Sequence, residues 1–223
     1  MFEGAFEDEL TQACASGRAN AALRLMFDTR AALNAQTRVD RLIADALGGA
    51  FLDAHPTTPV QASADAVLAA IDAALEGDDD HISAALNAGG DLQTLLNFPE
   101  PLRGAALAAA EQGESLAPAG PGIRRMTVMT DGAMKAEILY IEAGRATPTH
   151  SHRGKEYTLV LEGGFIAGGA HFGPGEVCVV GEETTHQPKA DPDHACVVLA
   201  VTDAPLAFSG MLGMVQKLFP NKF

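Results

Sequence analysis

Apolar residues follow two different spacings along the chain. Up to about residue 80 they recur every three or four positions, which predicts amphipathic helices. The clearest helix begins at Gln36, and five large apolar side chains share one of its faces: Val39, Leu42, Ile43, Leu47 and Phe51. Three further helices are predicted over residues 6–15, from 19 to about 33, and after Ser63, which can cap a helix.

From residue 123 onward, the pattern changes to short runs rich in β-branched residues, which turn residues separate. The predicted strands are 126–129, 136–141, 157–161, 176–180 and 196–201. Short strands at this spacing are typical of an antiparallel barrel or sandwich. The sequence therefore predicts a helical bundle over 1–80, a linker and lead-in over 81–122, and an all-β domain over 123–223.

Charge is unevenly distributed between the two parts. The net charge is −14, and residues 1–100 hold 16 acidic residues against five arginines and no lysine. An acidic surface does not bind nucleic acid, because phosphate binding needs lysine and arginine to replace counterions. It can attract a basic protein. Simple solvation of the surface is the alternative explanation.

Features of membrane and secreted proteins are not found in the sequence. No uncharged apolar run approaches the roughly 20 residues of a membrane helix. The acidic start of the chain lacks the basic segment of a secretory signal, so we expect a cytoplasmic protein. Cys14, Cys178 and Cys196 are scattered and predict neither a disulfide framework nor a CxxC zinc knuckle.

Metal-ligating residues are concentrated between Gly144 and His186. His150 and His152 lie two residues apart, so on a strand both face the same way, and Glu156 can return to that face. Closing a barrel would bring His186 from a later strand as the fourth ligand. A single His is usually a satisfied polar residue, but three His and one Glu at this joint spacing indicate a metal site.

This spacing is the two-part cupin signature, so we expect a jelly-roll barrel that holds one divalent ion. Zinc is our first expectation, and Fe, Mn, Ni or Cu also suit three imidazoles and a carboxylate. The second motif departs from the pattern, because Gly181, Glu183 and Ala190 replace its usual Pro, Gly and Asn. Four histidines lie outside the signature and are predicted to be structural or exposed: His55, His81, His171 and His194.

The whole chain resembles the ChrR family of cupin anti-sigma factors. Two strings carry the resemblance beyond general cupins: His-Arg-Gly-x-Glu-x-Thr-Leu-Val-Leu at 152–161 and Thr-Asp-Ala-Pro-Leu at 202–206. The resemblance implies that the helical part binds an extracytoplasmic-function sigma factor and keeps it from RNA polymerase. It also implies that the cupin part senses a stress such as singlet oxygen or an organic hydroperoxide.

One departure from that family lies in the helical part. The best-known members carry a second zinc site there, formed by an N-terminal His and a downstream His-x3-Cys-x2-Cys. Here Arg30, Asn34 and Thr37 occupy the downstream positions, and no histidine precedes His55. We therefore expect this part to fold by apolar packing, without zinc.

For the partner surface, we expect contact through the second predicted helix, with Leu23 and Phe27 on one face and Arg30 on the next turn. The alternative is that this face packs inside the bundle. Two other functions stay open. One is a metal-dependent cupin enzyme of the dioxygenase kind with a degenerate helical domain, although no further acid or base is predicted. The other is a metal-storing or structural cupin homodimer.

Overall fold

The computed structural model describes residues 10–57, 63–76, 92–182, 184–203 and 206–208. Residues 10–15 are helical, and the helices that follow are α1 (Ala21–Leu33), α2 (Ala35–Ala54), α3 (Ala64–Glu76), α4 (Leu92–Leu96) and α5 (Glu100–Glu111). The helices predicted near 19–33, from 36 and after Ser63 are thus present. Residues 6–9 of the first predicted helix lie outside the described residues.

Helix α2 continues through Gly48 and Gly49, where the sequence suggested that it would weaken. A Cβ on residue 48 would lie only 3.1 Å from the carbonyl oxygen of Ala15. The glycine therefore allows α2 to approach the end of the helical segment 10–15 closely, and this packing offsets its low helix propensity.

The strands are β1 (Ala117–Gly120), β2 (Ile123–Asp131), β3 (Met134–Ile141), β4 (His150–His152), β5 (Glu156–Glu162), β6 (Phe165–Ala167), β7 (Ala170–Phe172), β8 (Val177–Val180), β9 (Lys189–Ala190), β10 (Cys196–Thr202) and β11 (Leu206–Phe208). Among these described strands, one antiparallel sheet has the order β1-β2-β3-β10-β5-β8. Two smaller sheets, β7-β6-β9 and β11-β4, are extended by bridges between Ala146 and Lys189 and between His150 and His186. The predicted fold class, a helical part followed by a cupin barrel, is confirmed.

The large sheet is apolar on both faces. On β10, Val197, Leu199 and Val201 pack in a core shared with the helices, whereas Cys196 and Val198 pack in a second core inside the barrel. Successive side chains of a strand point to opposite faces. A strand covered on both sides therefore reads as an uninterrupted apolar run, as residues 196–201 do.

The outer core joins the helices to this sheet. Met26 and Phe27 of α1 and Leu102 and Ala106 of α5 are buried in it, together with residues of the sheet that face away from the barrel interior. The helical part and the barrel thus share one hydrophobic core.

The segment 81–122 was predicted as a linker and lead-in, and its described part begins at residue 92. It contains α4, α5 and β1, and Leu95 and Leu102 lie in the outer core. The Pro-Glu-Pro at 99–101 begins α5, because a proline in the first turn of a helix removes no helical hydrogen bond.

Hydrogen bonds fix the junction between α1 and α2. Asn34 Oδ1 accepts from the backbone N–H groups of Gln36 and Thr37, at 2.9 and 3.1 Å. Arg38 donates back to carbonyl oxygens in the last turn of α1. Arg30 Nε donates to the Gly175 carbonyl oxygen at 2.9 Å and so ties this junction to the barrel.

The shared core leads to a prediction for two phenylalanines on adjacent helices. Phe27 is 4% exposed and Phe51 is 60% exposed. We expect Phe27→Ala to lower the free energy of unfolding by about 3–5 kcal/mol, because it opens a cavity in the core. Phe51→Ala should change it by less than about 0.5 kcal/mol. Denaturant unfolding followed by circular dichroism measures both, and equal effects would contradict the described packing.

Candidate metal centre

Four side chains from three parts of the barrel meet at one point. The extended conformation of β4 directs His150 and His152 to the same side, and β5 begins with Glu156 beside them. His186 joins through a two-way backbone hydrogen bond with His150, at 3.0 and 3.1 Å. The structure therefore brings together all four ligands that the sequence predicted, and each side chain is almost completely buried.

The donor atoms converge closely. The three Nε2 atoms and Oε2 of Glu156 lie within 4.8 Å of one another. His186 Nε2 is 2.9 Å from that of His150 and 3.0 Å from that of His152. Glu156 Oε2 is 2.6 Å from His152 Nε2 and 3.3 Å from His186 Nε2. A tetrahedral ion with bonds of about 2.0–2.1 Å needs donors roughly 3.3 Å apart, so this set has the right size.

Three buried polar atoms of the cluster have no hydrogen-bond partner among the described residues. Glu156 Oε2 lies close to the imidazoles without forming a directional hydrogen bond, and Nδ1 of His152 and of His186 is buried without a partner among the described residues. Buried polar atoms of this kind normally have partners. A cation at the centre would satisfy Oε2 and the three Nε2 atoms together, so the residues present fit a metal ion.

Neighbouring groups orient two of the ligands. His150 Nδ1 lies 2.7 Å from the Pro148 carbonyl oxygen. Since a carbonyl oxygen only accepts, Nδ1 carries the proton and Nε2 offers its lone pair to the centre. Thr158 Oγ1 donates to Glu156 Oε1 at 3.1 Å. Sequence reasoning missed Thr158, although its place two residues after Glu156 puts it on the same face of β5.

Electrostatics inside the cluster favour an ionised carboxylate. Burial alone would raise the pKa of Glu156, but its attraction to the three imidazoles outweighs burial and holds that pKa well below its usual range. Burial alone would lower the pKa of His150. The Glu156 carboxylate and the Pro148 carbonyl outweigh this effect, so the pKa of His150 is raised.

His171, the one outside histidine considered as a neighbour of the site, does not join the cluster. Its Nε2 is 3.0 Å from Asp191 Oδ2, and the side chain is more than half exposed. Of the residues that depart from the cupin signature, Glu183 lies outside the described part of the chain.

None of the three predicted partner-binding residues is fully exposed in this structure. Phe27 is buried in the outer core, Leu23 packs against that core, and Arg30 is 5% exposed and bonded to Gly175. In this arrangement they hold α1 on the barrel. Partner contact through Leu23, Phe27 and Arg30 stays a prediction, and it requires α1 to separate from the barrel.

A different helix face is exposed. We call it the α2 stripe, and its large apolar residues are between 49% and 78% exposed: Val39, Leu42, Ile43, Leu47, Phe51 and Leu52. Val67, Leu68 and Ile71 on α3 are also exposed. Monomeric proteins rarely leave contiguous apolar surface of this extent uncovered, so the stripe indicates an interaction surface.

Comparison with known proteins gives two matches over almost the whole chain. The anti-sigma-E factor ChrR of Cereibacter sphaeroides is 33% identical over 218 residues, which is 95% of each chain. A crystal structure of Rhodobacter sphaeroides SigE in complex with the anti-sigma ChrR matches 88% of this chain and 96% of that chain, at 29% identity and a TM-score of 0.61.

An RmlC-like cupin protein from Ralstonia eutropha matches 43% of this chain and 65% of that chain, at 16% identity and a TM-score of 0.38. No protein-family model matches the chain. Within the described residues, no helix has the length and apolar character that crossing a bilayer requires.

The geometry of the cluster predicts one divalent ion per chain. We expect His152→Ala and Glu156→Gln to purify with less than about a tenth of that metal, because each removes one of four ligands. His171→Ala is the matched control and should keep the full content. Elemental analysis of the purified full-length chain measures this. Stoichiometric metal in His152→Ala would contradict the assignment.

Metal affinity should also depend on pH. Protons compete with the metal for the imidazole Nε2 atoms, whereas Glu156 stays ionised because its pKa is lowered. Since the pKa of His150 is raised, competition begins above the pH at which an ordinary histidine titrates. We expect affinity to fall about tenfold per pH unit below that pKa. Chelator competition between about pH 8 and 5 measures it, and a flat profile would contradict the prediction.

Proposed function

This chain belongs to the family of ChrR anti-sigma factors, and we propose that it sequesters an extracytoplasmic-function sigma factor through its helical part. The proposal includes a cytoplasmic location, because sigma factors act on RNA polymerase there. Its barrel, with a divalent ion held by His150, His152, Glu156 and His186, would sense the stress that releases the partner. Three imidazoles and one carboxylate suit zinc, which is the ion we propose.

The observation that carries this proposal is the α2 stripe. Residues Val39, Leu42, Ile43 and Leu47 lie three or four positions apart, so they form one continuous apolar face of the helix. An apolar helix face of this kind binds by lying in a hydrophobic groove of a partner protein. Burying it would gain roughly 1.5–3 kcal/mol for each fully covered Leu or Ile side chain, before the costs of association.

The distribution of charge also favours partner binding by the part of the chain that carries the α2 stripe. Residues 1–100 carry most of the negative charge of the chain, and a sigma factor needs basic surfaces to meet DNA. Opposite charges would speed the encounter more than they would strengthen the complex. The acidic run at 76–80 belongs to this part of the chain but lies outside the residues whose side chains the structure describes.

The strand β5 offers a physical route from the barrel to the helices. Glu156 and Thr158 face the candidate metal centre, whereas Tyr157 and Leu159 face the outer core on which α1 and α5 pack. A change at the metal that shifts Glu156 therefore also shifts residues under the helices. We propose that loss or modification of the metal loosens the helical part in this way and so alters its hold on the sigma factor.

Capture of a sigma factor tests the partner surface. We expect Leu42→Asp and Phe51→Asp to reduce capture of the co-encoded sigma factor at least tenfold, because each places a charge in an apolar interface. Ile166→Asp is the control, since Ile166 is a large apolar residue on the barrel that is 47% exposed. A pull-down with purified proteins measures capture, and circular dichroism confirms that each variant is folded.

The salt dependence of the same pull-down separates the contribution of charge from that of the apolar α2 stripe. Salt screens exposed charges beyond roughly 10 Å at 0.1 M, so capture should weaken but persist at high salt if the α2 stripe supplies most of the affinity. Unchanged capture by Leu42→Asp would exclude this surface. No capture by the wild type at any salt would exclude the anti-sigma function and place the cupin enzyme first.

A further inference from the structure

A cavity of about 320 Å³ lies inside the barrel beside the candidate metal centre. His150 and Glu156 form part of its lining, and most of the remaining wall is apolar. The apolar residues come from inward-facing positions of several strands: Ile123, Leu139, Ile141, Phe165 and Val198. This volume lies at the small end of the range for small-molecule sites in proteins.

One wall of the cavity is polar and charged. Arg125 of β2 and Glu137 of β3 both line it, and Glu137 is buried. Glu137 Oε1 is 2.6 Å from Lys135 Nζ and 3.5 Å from Arg125 Nε, and it accepts a hydrogen bond from Thr127. Two cations thus lie beside this carboxylate, and Arg125 is the one that lines the cavity.

Arg125 can hold a second carboxylate. Its 3.5 Å separation from Glu137 is longer than the roughly 2.7–2.9 Å of a strong charge-assisted hydrogen bond. A guanidinium has five N–H donors in a planar fork, and this fork matches the two oxygens of a carboxylate. The guanidinium of Arg125 on this wall can therefore bind the carboxylate of a small organic ligand.

The strand register provides a path from this wall to the metal centre. Glu137 pairs with Ala200, and Ala200 pairs with Thr158, which bonds to Glu156. All three side chains face the cavity. Because Ala200 is small, it leaves space between the two polar ends.

We propose that this cavity binds a small organic anion, with its carboxylate at Arg125 and its apolar body over Ala200 towards His150 and Glu156. The apolar residues of the wall would contact the body of the ligand, and Arg125 would fix its orientation. The proposal does not rest on sigma-factor binding, since the site lies within the barrel of this chain alone.

Calorimetric titration of the purified full-length chain with hexanoate tests the proposal. We expect saturable binding of one hexanoate per chain, at least tenfold tighter than binding of hexan-1-ol, which lacks the charge. Arg125→Met should lower the affinity for hexanoate at least tenfold, and Ala200→Phe should abolish binding by filling the path. Arg145→Met is the control and should bind like the wild type, because Arg145 is exposed beside Glu142.

The length of the alkyl chain of the carboxylate ligand gives a second test, which needs no protein variant. Affinity should rise from acetate to hexanoate, as more apolar surface is buried. An affinity that does not rise between acetate and hexanoate, or an Arg125→Met protein that binds hexanoate like the wild type, would overturn the proposal. Either result could occur whether or not the protein captures a sigma factor.

Discussion

The central constraint on this molecule is that its largest sheet has no face exposed to solvent over most of its width. One face closes the barrel and the other supports the helices, so neighbouring residues on a strand serve different parts of the protein. On β5, Glu156 belongs to the candidate metal centre and Tyr157 to the core beneath the helices. The helical part and the barrel are therefore connected through adjacent residues of the same strand rather than through a flexible hinge.

Hydrogen bonds hold the junction of α1 and α2 together. Arg30, Asn34 and Thr37 lie at this junction, at the positions where the family resemblance implies the second zinc site of other members. Asn34 caps α2, Thr37 is buried beside it, and Arg30 reaches the Gly175 carbonyl oxygen. An N-terminal cap contributes about 1 kcal/mol. The contact of Arg30 with Gly175 also joins this junction to the barrel, whereas a zinc site within the helical part would not.

Sequence reasoning succeeded where spacing alone defines geometry. His150, His152, Glu156 and His186 were predictable because strand alternation fixes which side chains converge. Spacing could not decide the role of Phe27, since an apolar helix face does not reveal whether it meets its own chain or another protein. The sequence also did not define α5, which lies in the segment predicted only as linker and lead-in. The pairing of Arg125 with Glu137 depends on strand register and on an irregularity in β2, which no local pattern reports.

The α2 stripe also affects whether copies of the free protein associate with one another. Copies with a net charge of −14 repel each other at low ionic strength, which keeps their apolar stripes apart. Salt screens this repulsion but leaves the attraction between apolar surfaces intact. The charge of the free protein therefore keeps it dispersed in solution. If the protein and its partner were synthesised in equal amounts, few unbound copies would remain to self-associate.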